Sequence, residues 1–357
     1  MLAEKEGINH GVAVHGGYLF ASTSDEVWRW PYSPGDWKDL GPGELVIRNM
    51  DQYTGDTEGG LSSPTGHTTR TMVFDNQGRI YISVGSLGNV DEDSFRSRIR
   101  RFENVSQPEF SGNEPLDFVE GEVFADGLRN EVGLGWSDAT RKVLYGVENG
   151  MDNLYRADLG GDIHQDNPAE ELNAFPIDQP GRHYGYPWCF TEVSSADRPV
   201  GPSPTPLTPP EFLSLSLSQF KLDHPLAGGR GAQWALEDQD VADDAYCKDP
   251  TSNVPPLHSM QGHSAPLGIA FYGADWGVVS ECCSLRNATA CDEIRRAGGL
   301  PCEYANDAFV SFHGSWNRDE PTGEEAFLQE SLPAGKLSRH LLTLFFFFQA
   351  TRWSGSG

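Results

Sequence analysis

The sequence predicts an all-β protein, and two features of its pattern predict this fold class. Forty Gly and 24 Pro among 357 residues favour many turns and few long helices. An apolar strand, a turn built on Asp, Gly or Asn, and a second strand rich in aromatic residues recur along the chain. Repeats of this kind, about 40–70 residues each, indicate a β-propeller, in which neighbouring blades bury one another's faces.

Four segments carry the repeat. The first three are "GVAVHGGYLFASTSDEVWRW" at 11–30, "TMVFDNQGRIYISVGS" at 71–86 and "GLGWSDATRKVLYGVENGMDNLYRADL" at 133–159. The fourth, "LGIAFYGADW" at 267–276 with "DAFVSFHGSW" at 307–316, is interrupted by an insertion. Each segment is expected to supply a strand, a turn, a second strand and then a third strand. A β-sandwich with accidental similarity between its strands is the alternative, and the recurring aromatic-rich second strand favours the propeller.

Two regions depart from the repeat. Residues 190–262 are rich in Pro and Ser and have weak periodicity, so we expect a long excursion from a propeller that spans residues 1–323. Residues 324–357 contain four consecutive Phe and no strand–turn–strand unit. We expect this tail to reflect a wrong reading frame, a retained intron or a premature end; an amphipathic tail helix is the alternative.

The charge balance excludes two classes of partner. The net charge is −26, whereas a nucleic-acid-binding protein needs a basic face. The same charge disfavours adsorption to anionic membranes. The apolar run at 341–348 is also too short to span a bilayer.

The six cysteines predict disulfides, because none has the paired C-x-x-C spacing of a zinc site. We expect Cys189 to pair with Cys247 and further pairs to form within 282–302. Two N-glycosylation sequons, at 104–106 and 287–289, add to the prediction of a secreted protein. The opening "MLAEKEGINH" has no signal-peptide features, so the natural amino terminus is expected to be missing from this sequence.

The residues that are candidates for chemistry share one position, just before the inner strand of a predicted blade or in the loop after it. They are His67 and Arg70, Arg129 and Asn130, the loops at 148–154, 160–173 and 183–189, and the motifs "HSAPLG" at 263–268 and "FHGSWNR" at 312–318. Loops at one end of a propeller gather around its axis, so residues far apart in sequence can share a site.

Each candidate also has a simpler interpretation. His67 is alternatively a strand cap, Arg129 the partner of a surface carboxylate, and the Asp/Asn-rich loops are ordinary side-chain-to-backbone turns. Together, however, they make chemical sense. A neutral histidine takes a proton from a hydroxyl, arginine beside asparagine suits a polycarboxylate, and a Gly-Tyr-Pro turn presents carbonyl oxygens that suit Ca²⁺.

Taken in order, these segments resemble the fungal pyrroloquinoline-quinone (PQQ) dependent pyranose dehydrogenases, also described as L-sorbosone dehydrogenase-like, within the soluble quinoprotein glucose and aldose sugar dehydrogenases. The resemblance runs from about residue 8 to residue 323 and rests on "GHTTRTMVFDNQGRIYISVGS", "FADGLRNEVGLGW", "ENGMDNLYRADLGGDIHQDNPAEELN", "HYGYPWC", "HSAPLGIAFY" and "DAFVSFHGSWNRDEPTG". It implies a six-bladed propeller of four-stranded antiparallel blades with PQQ and Ca²⁺ on its axis. It also implies sugar oxidation, with electrons passed to an acceptor such as a haem b cytochrome.

The resemblance implies a role for each matching residue. His67 resembles the base that takes the sugar hydroxyl proton while hydride passes to the quinone. Arg129 and Asn130 resemble the quinone-binding pair. The other implied cofactor contacts are His263, Ser264, His313 and Arg70, and the implied calcium ligands are carbonyl oxygens of Gly185, Tyr186 or Pro187.

The tail at 324–357 is the main departure from the family. It stands where the family has its last blade, so that blade is predicted to be missing or corrupted, which leaves an open sheet edge. Two other functions stay open at this point: a calcium-dependent hydrolase such as a lactonase, and a non-catalytic sugar-binding propeller. The Arg-Asn pair and the carbonyl-type turn favour the quinoprotein.

Overall fold

The computed structural model shows a chain that is mostly β. The residues it describes are 2–51, 66–92, 95–108, 110, 114–165, 167–192, 233–237, 239–273, 289, 291–292, 296, 307–315, 317–319 and 326–329. Within them lie 21 strands, two short 3-10 helices at Phe118–Glu120 and Ala157–Leu159, and an α-helix, α1, at Asp244–Lys248; residues 289, 291, 292 and 296 are also helical. Across the same residues, no helix is long and apolar enough to cross a membrane.

The first sheet confirms the three strands predicted at 11–30. Its members, in their order across the sheet, are β1 (Val12–His15), β2 (Tyr18–Ser22), β3 (Val27–Pro31), β4 (Glu44–Arg48) and β8 (Leu116–Asp117). The first four pair as an antiparallel meander, and β8 adds to β4 in parallel. Phe20, Val27 and Trp30 are fully buried; Val27 and Trp30 lie three residues apart in β3, so the strand buries residues on both of its faces.

The second sheet confirms the two strands predicted at 71–86. In order across the sheet it contains β5 (Met72–Phe74), β6 (Ile80–Val84), β7 (Arg98–Phe102), β9 (Glu122–Asp126) and β15 (Arg182–His183). The predicted "DNQG" turn joins the first two strands. There Asp75 accepts hydrogen bonds from the backbone N–H groups of Gln77 and Arg79, which fixes the turn.

The third sheet corrects one detail of the predicted repeat. It contains β10 (Glu131–Trp136), β11 (Val143–Glu148), β14 (Glu170–Pro176) and β18 (His258–Met260). The sequence predicts the third strand within 153–159, but only Tyr155–Arg156 is extended there. Strand β14 takes that place instead, because six of its seven residues pair with all six residues of β11.

The remaining strands form one three-stranded sheet and two small ribbons. The three-stranded sheet has β19 (Pro266–Phe271), β20 (Ala308–Phe312) and β21 (Ala326–Gln329). One ribbon pairs β12 (Tyr155–Arg156) with β13 (Gly161–Asp162). The other pairs β16 (Cys189–Thr191) with β17 (Gln233–Ala235). The sheet confirms the fourth predicted pair of strands. The expected atypical tail at 324–357 nevertheless begins with β21, and its residues from 330 onward lie outside the described part of the chain.

Apolar clusters join successive sheets face to face. In β6, Ile80 and Ile82 pack towards the first sheet, whereas Tyr81 packs towards the third. In β11, Leu144 likewise faces the second sheet and Val147 faces β19 and β20. The central sheets are therefore buried on both faces, which explains why their strands are apolar runs and not alternating patterns.

The predicted Cys189–Cys247 disulfide is present. It ties β16 to α1, whose first turn is capped by Asp243 accepting from the N–H of Tyr246. The further pairs predicted within 282–302 fall almost wholly outside the described residues.

Candidate functional site

His67 lies in the segment that leads into β5, and Ser86, in the loop after β6, holds its ring. Its Nδ1 is 2.9 Å from the Ser86 carbonyl oxygen and 3.1 Å from the Ser86 hydroxyl oxygen. A carbonyl oxygen only accepts hydrogen bonds, so Nδ1 carries the proton and Nε2 carries the lone pair. No residue in the described part of the chain hydrogen-bonds to that Nε2.

The environment of His67 keeps its ring neutral. Burial is the largest effect and lowers the pKa of His67 to about 4, and the positive charge of Arg129 is the next largest. At pH values above about 4 the ring is therefore neutral. It thus has both the tautomer and the charge state that a general base needs.

Arg129 and Asn130 lie beside His67, as the sequence-based site requires. The Ser86 N–H donates to the Arg129 carbonyl oxygen at 2.7 Å, so one loop residue holds both functional residues. A Cβ atom on Gly85 would lie 2.8 Å from the His67 Cβ and 2.6 Å from the Asn130 Oδ1. Only glycine permits so close an approach of the three segments.

The guanidinium of Arg129 uses all five of its N–H donors within the protein. Nε donates to the Asn89 carbonyl and Nη1 to the carbonyls of Asn149 and Gly150. Nη2 donates to the Asn89 Oδ1 at 3.2 Å and to the Asp152 Oδ2 at 3.0 Å. Arg129 therefore contributes a fixed positive charge to the site, with no N–H left over in this arrangement.

Arg70 lies beneath the site and not at its surface. Its side chain is fully buried and donates to the carbonyl oxygens of His67 at 2.7 Å and Thr69 at 2.8 Å. It also pairs with Asp51 at 3.3 Å. Arg70, which the sequence predicts to contact the cofactor, therefore supports the backbone that carries His67.

The Gly-Tyr-Pro turn offers two of its three predicted carbonyl ligands. The Gly185 carbonyl oxygen accepts from the N–H groups of Trp188 and Cys189, at 3.0 and 2.9 Å. The carbonyl oxygens of Tyr186 and Pro187 accept no hydrogen bond from the residues that the structure describes. Two oxygens thus remain available to a cation.

The loop at 263–265 meets the Arg129 network through two carboxylates. His263 Nδ1 lies 3.8 Å from the Asp152 Oδ1, and its Nε2 lies 3.0 Å from the Asn167 carbonyl. Glu170 accepts from the N–H groups of Gly150, at 2.7 Å, and Ala265, at 3.1 Å. The loop at 263–265 is therefore connected to Arg129 through Asp152, and to the loop that carries Gly150 through Glu170.

Ser264 and His313 belong to the same region, and Ser264 is buried there. The Ser264 hydroxyl donates to the Gln261 carbonyl at 2.8 Å, so its proton is used locally. His313 is exposed, and its backbone N–H donates to the Ala265 carbonyl at 2.9 Å. The structure therefore brings all the predicted loops to one region, but only some side chains face outward.

A family model described as TrAA12-like matches residues 1–204 and 217–327. The chain belongs to this family. The match covers the four sheets and the loops that carry the candidate site. It therefore supports the family resemblance on which the sequence-based roles rest.

Curated relatives of this TrAA12-like chain are named as quinone-dependent dehydrogenases. It is 31% identical over 279 residues to a PQQ-dependent sugar dehydrogenase of Hypocrea jecorina, covering 74% of this chain and 55% of the relative. It is 28% identical over 330 residues to a PQQ-dependent pyranose dehydrogenase of Coprinopsis cinerea, covering 88% of this chain and 35% of the relative. The chain thus spans about half the length of the first relative and about a third of the length of the second.

Two solved structures share the fold. One is a calcium structure of Trichoderma reesei Carbohydrate-Active Enzymes Family AA12, with a TM-score of 0.63 and 26% identity over 95% of this chain and 70% of that chain. The other is the holo form of the pyranose dehydrogenase PQQ domain from Coprinopsis cinerea, with a TM-score of 0.63 and 25% identity over 91% of this chain and 65% of that chain.

Sequence reasoning missed the residues that connect the site. Asn89, Asp152 and Glu170 each bond to two or more loops. Asp152 and Glu170 lie within loops that the sequence did single out, whereas Asn89 lies in a run of turn residues with no other signal. Their partners, both backbone groups and side chains, lie 20 or more residues away in sequence, so no local pattern identifies them.

A group of buried carboxyls in the TrAA12-like chain was also missed. The Asn173 Nδ2 lies 3.0–3.4 Å from carboxyl oxygens of Glu131, Glu148 and Glu171. Burial raises the pKa of Glu171 to about 7 and raises the pKa values of Glu131 and Glu148 well above their usual range. Burial therefore favours the protonated form of all three carboxyls, and the Asn173 amide donates towards them. Among the described residues, no cluster of three or more His, Cys, Asp or Glu is arranged to hold a metal ion.

Proposed function

We propose that this chain is a sugar dehydrogenase that depends on PQQ and Ca²⁺. The observation that carries the proposal is the state of His67, a neutral ring whose Nε2 has a lone pair and no partner among the described residues. The family match and the named relatives support the choice of cofactor. A pyranose or another aldose or osone is the substrate class that these relatives suggest.

The residues present fit the two cofactors. The carbonyl oxygens of Tyr186 and Pro187 are the hard oxygen ligands that Ca²⁺ prefers, and they accept no hydrogen bond from the described residues. The Asn130 amide also makes no hydrogen bond to a described residue, so it is a donor for a polycarboxylate. Arg129 adds the positive charge that such an anion requires.

Each residue then has a defined task. His67 Nε2 takes the hydroxyl proton of the sugar, and the Nδ1 bond to Ser86 fixes the ring during the transfer. Burial, aided by the charge of Arg129, keeps His67 neutral beforehand, and that charge stabilises negative charge that develops nearby. The chemistry that PQQ and Ca²⁺ supply when bound is a quinone carbonyl, polarised by the cation, that accepts hydride.

We extend the proposal to the architecture and the location. The four sheets are blades of a six-bladed propeller, each buried against the next as the three apolar clusters indicate. The site lies where the loops after their strands meet. The Cys189–Cys247 disulfide supports secretion, since disulfides persist in oxidising compartments. A haem b cytochrome is the proposed electron acceptor.

Cofactor reconstitution tests the function. The purified chain is titrated with PQQ in Ca²⁺ or in EGTA, followed by quinone absorbance, and then supplied with aldoses and a redox dye. We expect dye reduction that requires PQQ, Ca²⁺ and sugar together. Hydrolysis of a lactone with Ca²⁺ alone would instead indicate a hydrolase, and sugar binding without dye reduction would indicate a non-catalytic protein. Either result contradicts the proposal.

A further inference from the structure

Asn89 connects three loops of the site, although it lies in the exposed loop between β6 and β7. Its Oδ1 accepts from the Arg129 Nη2 at 3.2 Å and from the Asp152 N–H at 2.7 Å. Its Nδ2 donates to the Asp152 carbonyl at 2.7 Å. Its own carbonyl accepts from the Arg129 Nε at 3.2 Å and from the Tyr186 hydroxyl at 3.1 Å. Five hydrogen bonds therefore converge on one residue.

The chemistry of these bonds requires a side-chain amide at position 89. The Asn89 side chain donates one hydrogen bond to the Asp152 backbone and accepts another from it, as a strand residue does with its partner in a sheet. Aspartate lacks the donor and would bring a second carboxylate close to Asp152. Alanine would lose both bonds and leave one Arg129 N–H without its acceptor.

Asn89 fixes the plane of the Arg129 guanidinium. Two of the five donors of Arg129 end on Asn89, and a third ends on Asp152, which Asn89 itself holds. The same residue holds the ring of Tyr186, whose turn presents the carbonyl pair. Arg129 in turn has the second-largest effect on the pKa of His67, after burial.

We propose that Asn89 is a positioning residue, which orients the Arg129 guanidinium towards His67 and couples it to the Tyr186 turn. This inference deepens the proposed function and rests on it for the roles of His67 and of the turn. Asn89 acts through Arg129, and it touches neither the sugar nor the proton that is transferred.

Asn76 provides a matched control. It is an exposed asparagine in the β5–β6 turn, and its Nδ2 donates to the Ala139 carbonyl at 2.6 Å and to the Thr140 carbonyl at 3.3 Å. It therefore also joins two loops by bonds from a side-chain amide to the backbone. It contacts none of the candidate site residues, so its replacement measures a purely structural effect.

The test is carried out on the protein without added cofactor. Ring-labelled histidine is titrated by NMR, and the His67 resonance is assigned from its absence in His67→Gln. The charged groups around His67 are Arg129 and Arg70, which lower its pKa, and Asp91, which raises it. We expect Asn89→Ala to raise the apparent pKa of His67 by about half a unit to one unit, because Arg129 is released.

A double-mutant cycle shows whether Asn89 acts through Arg129. In an Arg129→Gln background, Asn89→Ala should cause no further shift, because the charge that it positions is gone. Asn76→Ala should leave the titration unchanged in either background. Asn89→Ser, which keeps a short acceptor and donor, should give a smaller shift than alanine and serves if the alanine variant does not fold.

The outcomes separate this inference from the proposed function. If Asn89→Ala titrates like the parent protein, or shifts equally without Arg129, the inference is wrong whatever the enzyme does. If the predicted shifts occur but PQQ is never used, Asn89 still positions Arg129 and the proposed function is what fails. In active protein, Asn89→Ala should also raise the Kd for PQQ several-fold, unlike Asn76→Ala.

Discussion

His67 and His263 occupy similar places, each in a loop that leads into a strand, but their rings are held in opposite ways. His67 is held through Nδ1, at 2.9 Å from the Ser86 carbonyl, which leaves Nε2 as the base. His263 places Nε2 against the Asn167 carbonyl at 3.0 Å, so that nitrogen carries a proton and cannot accept one. Burial lowers both pKa values. His67 therefore keeps an unpartnered lone pair on Nε2 among the described residues, whereas both ring nitrogens of His263 face protein oxygens, Nε2 the Asn167 carbonyl and Nδ1 the Asp152 carboxylate at 3.8 Å.

The two regions also differ in how their positive charge is used. Beside His67, Arg129 has every donor satisfied and lowers the pKa of the ring. Beside His263, hydrogen bonds to the backbone of Asn167 and His164 raise the pKa against the larger effect of burial, and the carboxylate of Asp152, 3.8 Å away, raises it further. The two rings are therefore both neutral, but they differ in the charges that lie beside them.

Replacing each histidine with glutamine tests the difference between His67 and His263 most directly. We expect His67→Gln to lower kcat about 10³-fold, within the usual range for loss of a general base, and to retain PQQ binding. His263→Gln should instead weaken PQQ binding and keep most of the turnover when PQQ is saturating. Single-turnover kinetics and a PQQ titration on both variants measure the two effects.

His10→Gln serves as the control, since His10 contacts Thr71 and no candidate site residue. Equal loss of binding and turnover in His67→Gln would show that His67 is structural.

The next contrast concerns the charge beside His67. The acid limb of kcat/KM should fall near pH 4 in the parent protein, since it reports the His67 ring in the free enzyme. Removing the positive charge raises the pKa of His67, so Arg129→Gln should move this limb upward by about one pH unit. Arg129→Lys should leave the limb nearly in place, because the charge remains.

Both Arg129 variants should bind PQQ more weakly, about tenfold or more, because neither presents a planar five-donor fork to the three loops. A limb that moves equally in the lysine and glutamine variants would show that the charge is not what holds the pKa of His67 down.

The smallest expected effect concerns the buried carboxyls behind Arg129. The pKa of Glu171 is about 7 in the folded protein and near 4.5 when unfolded. Its contribution to stability is therefore present at low pH and is lost as the pH rises from about 4.5 through 7. We expect Glu171→Gln to raise Tm by about 3 °C or more at pH 8 and hardly at pH 5.

Scanning calorimetry at the two pH values measures this difference. The exposed Glu103→Gln variant is the control, because Glu103 lies at the surface. A stabilisation by Glu171→Gln that is independent of pH would contradict the assignment of a raised pKa.

The sequence by itself determined the order of the main strands and the Cys189–Cys247 pair, and it predicted that His67, Arg129 and the Gly-Tyr-Pro turn share one region. These features depend on local patterns: alternation, turn residues and short motifs. It misplaced the third strand of the third sheet, because β14 is selected by its pairing with β11 and not by its own pattern. It also grouped Arg70 with the cofactor contacts, since an arginine near a loop motif gives no sign of its burial.

Only the tertiary structure decided the tautomer of His67, the full use of the Arg129 donors, and the place of Asn89. Each depends on backbone groups that are 19 to 97 residues away in sequence. Their positions are fixed when the apolar faces of successive sheets close on one another. The chemistry of the residues can thus be read from the chain, but the proton on His67 and the field around it are set by packing.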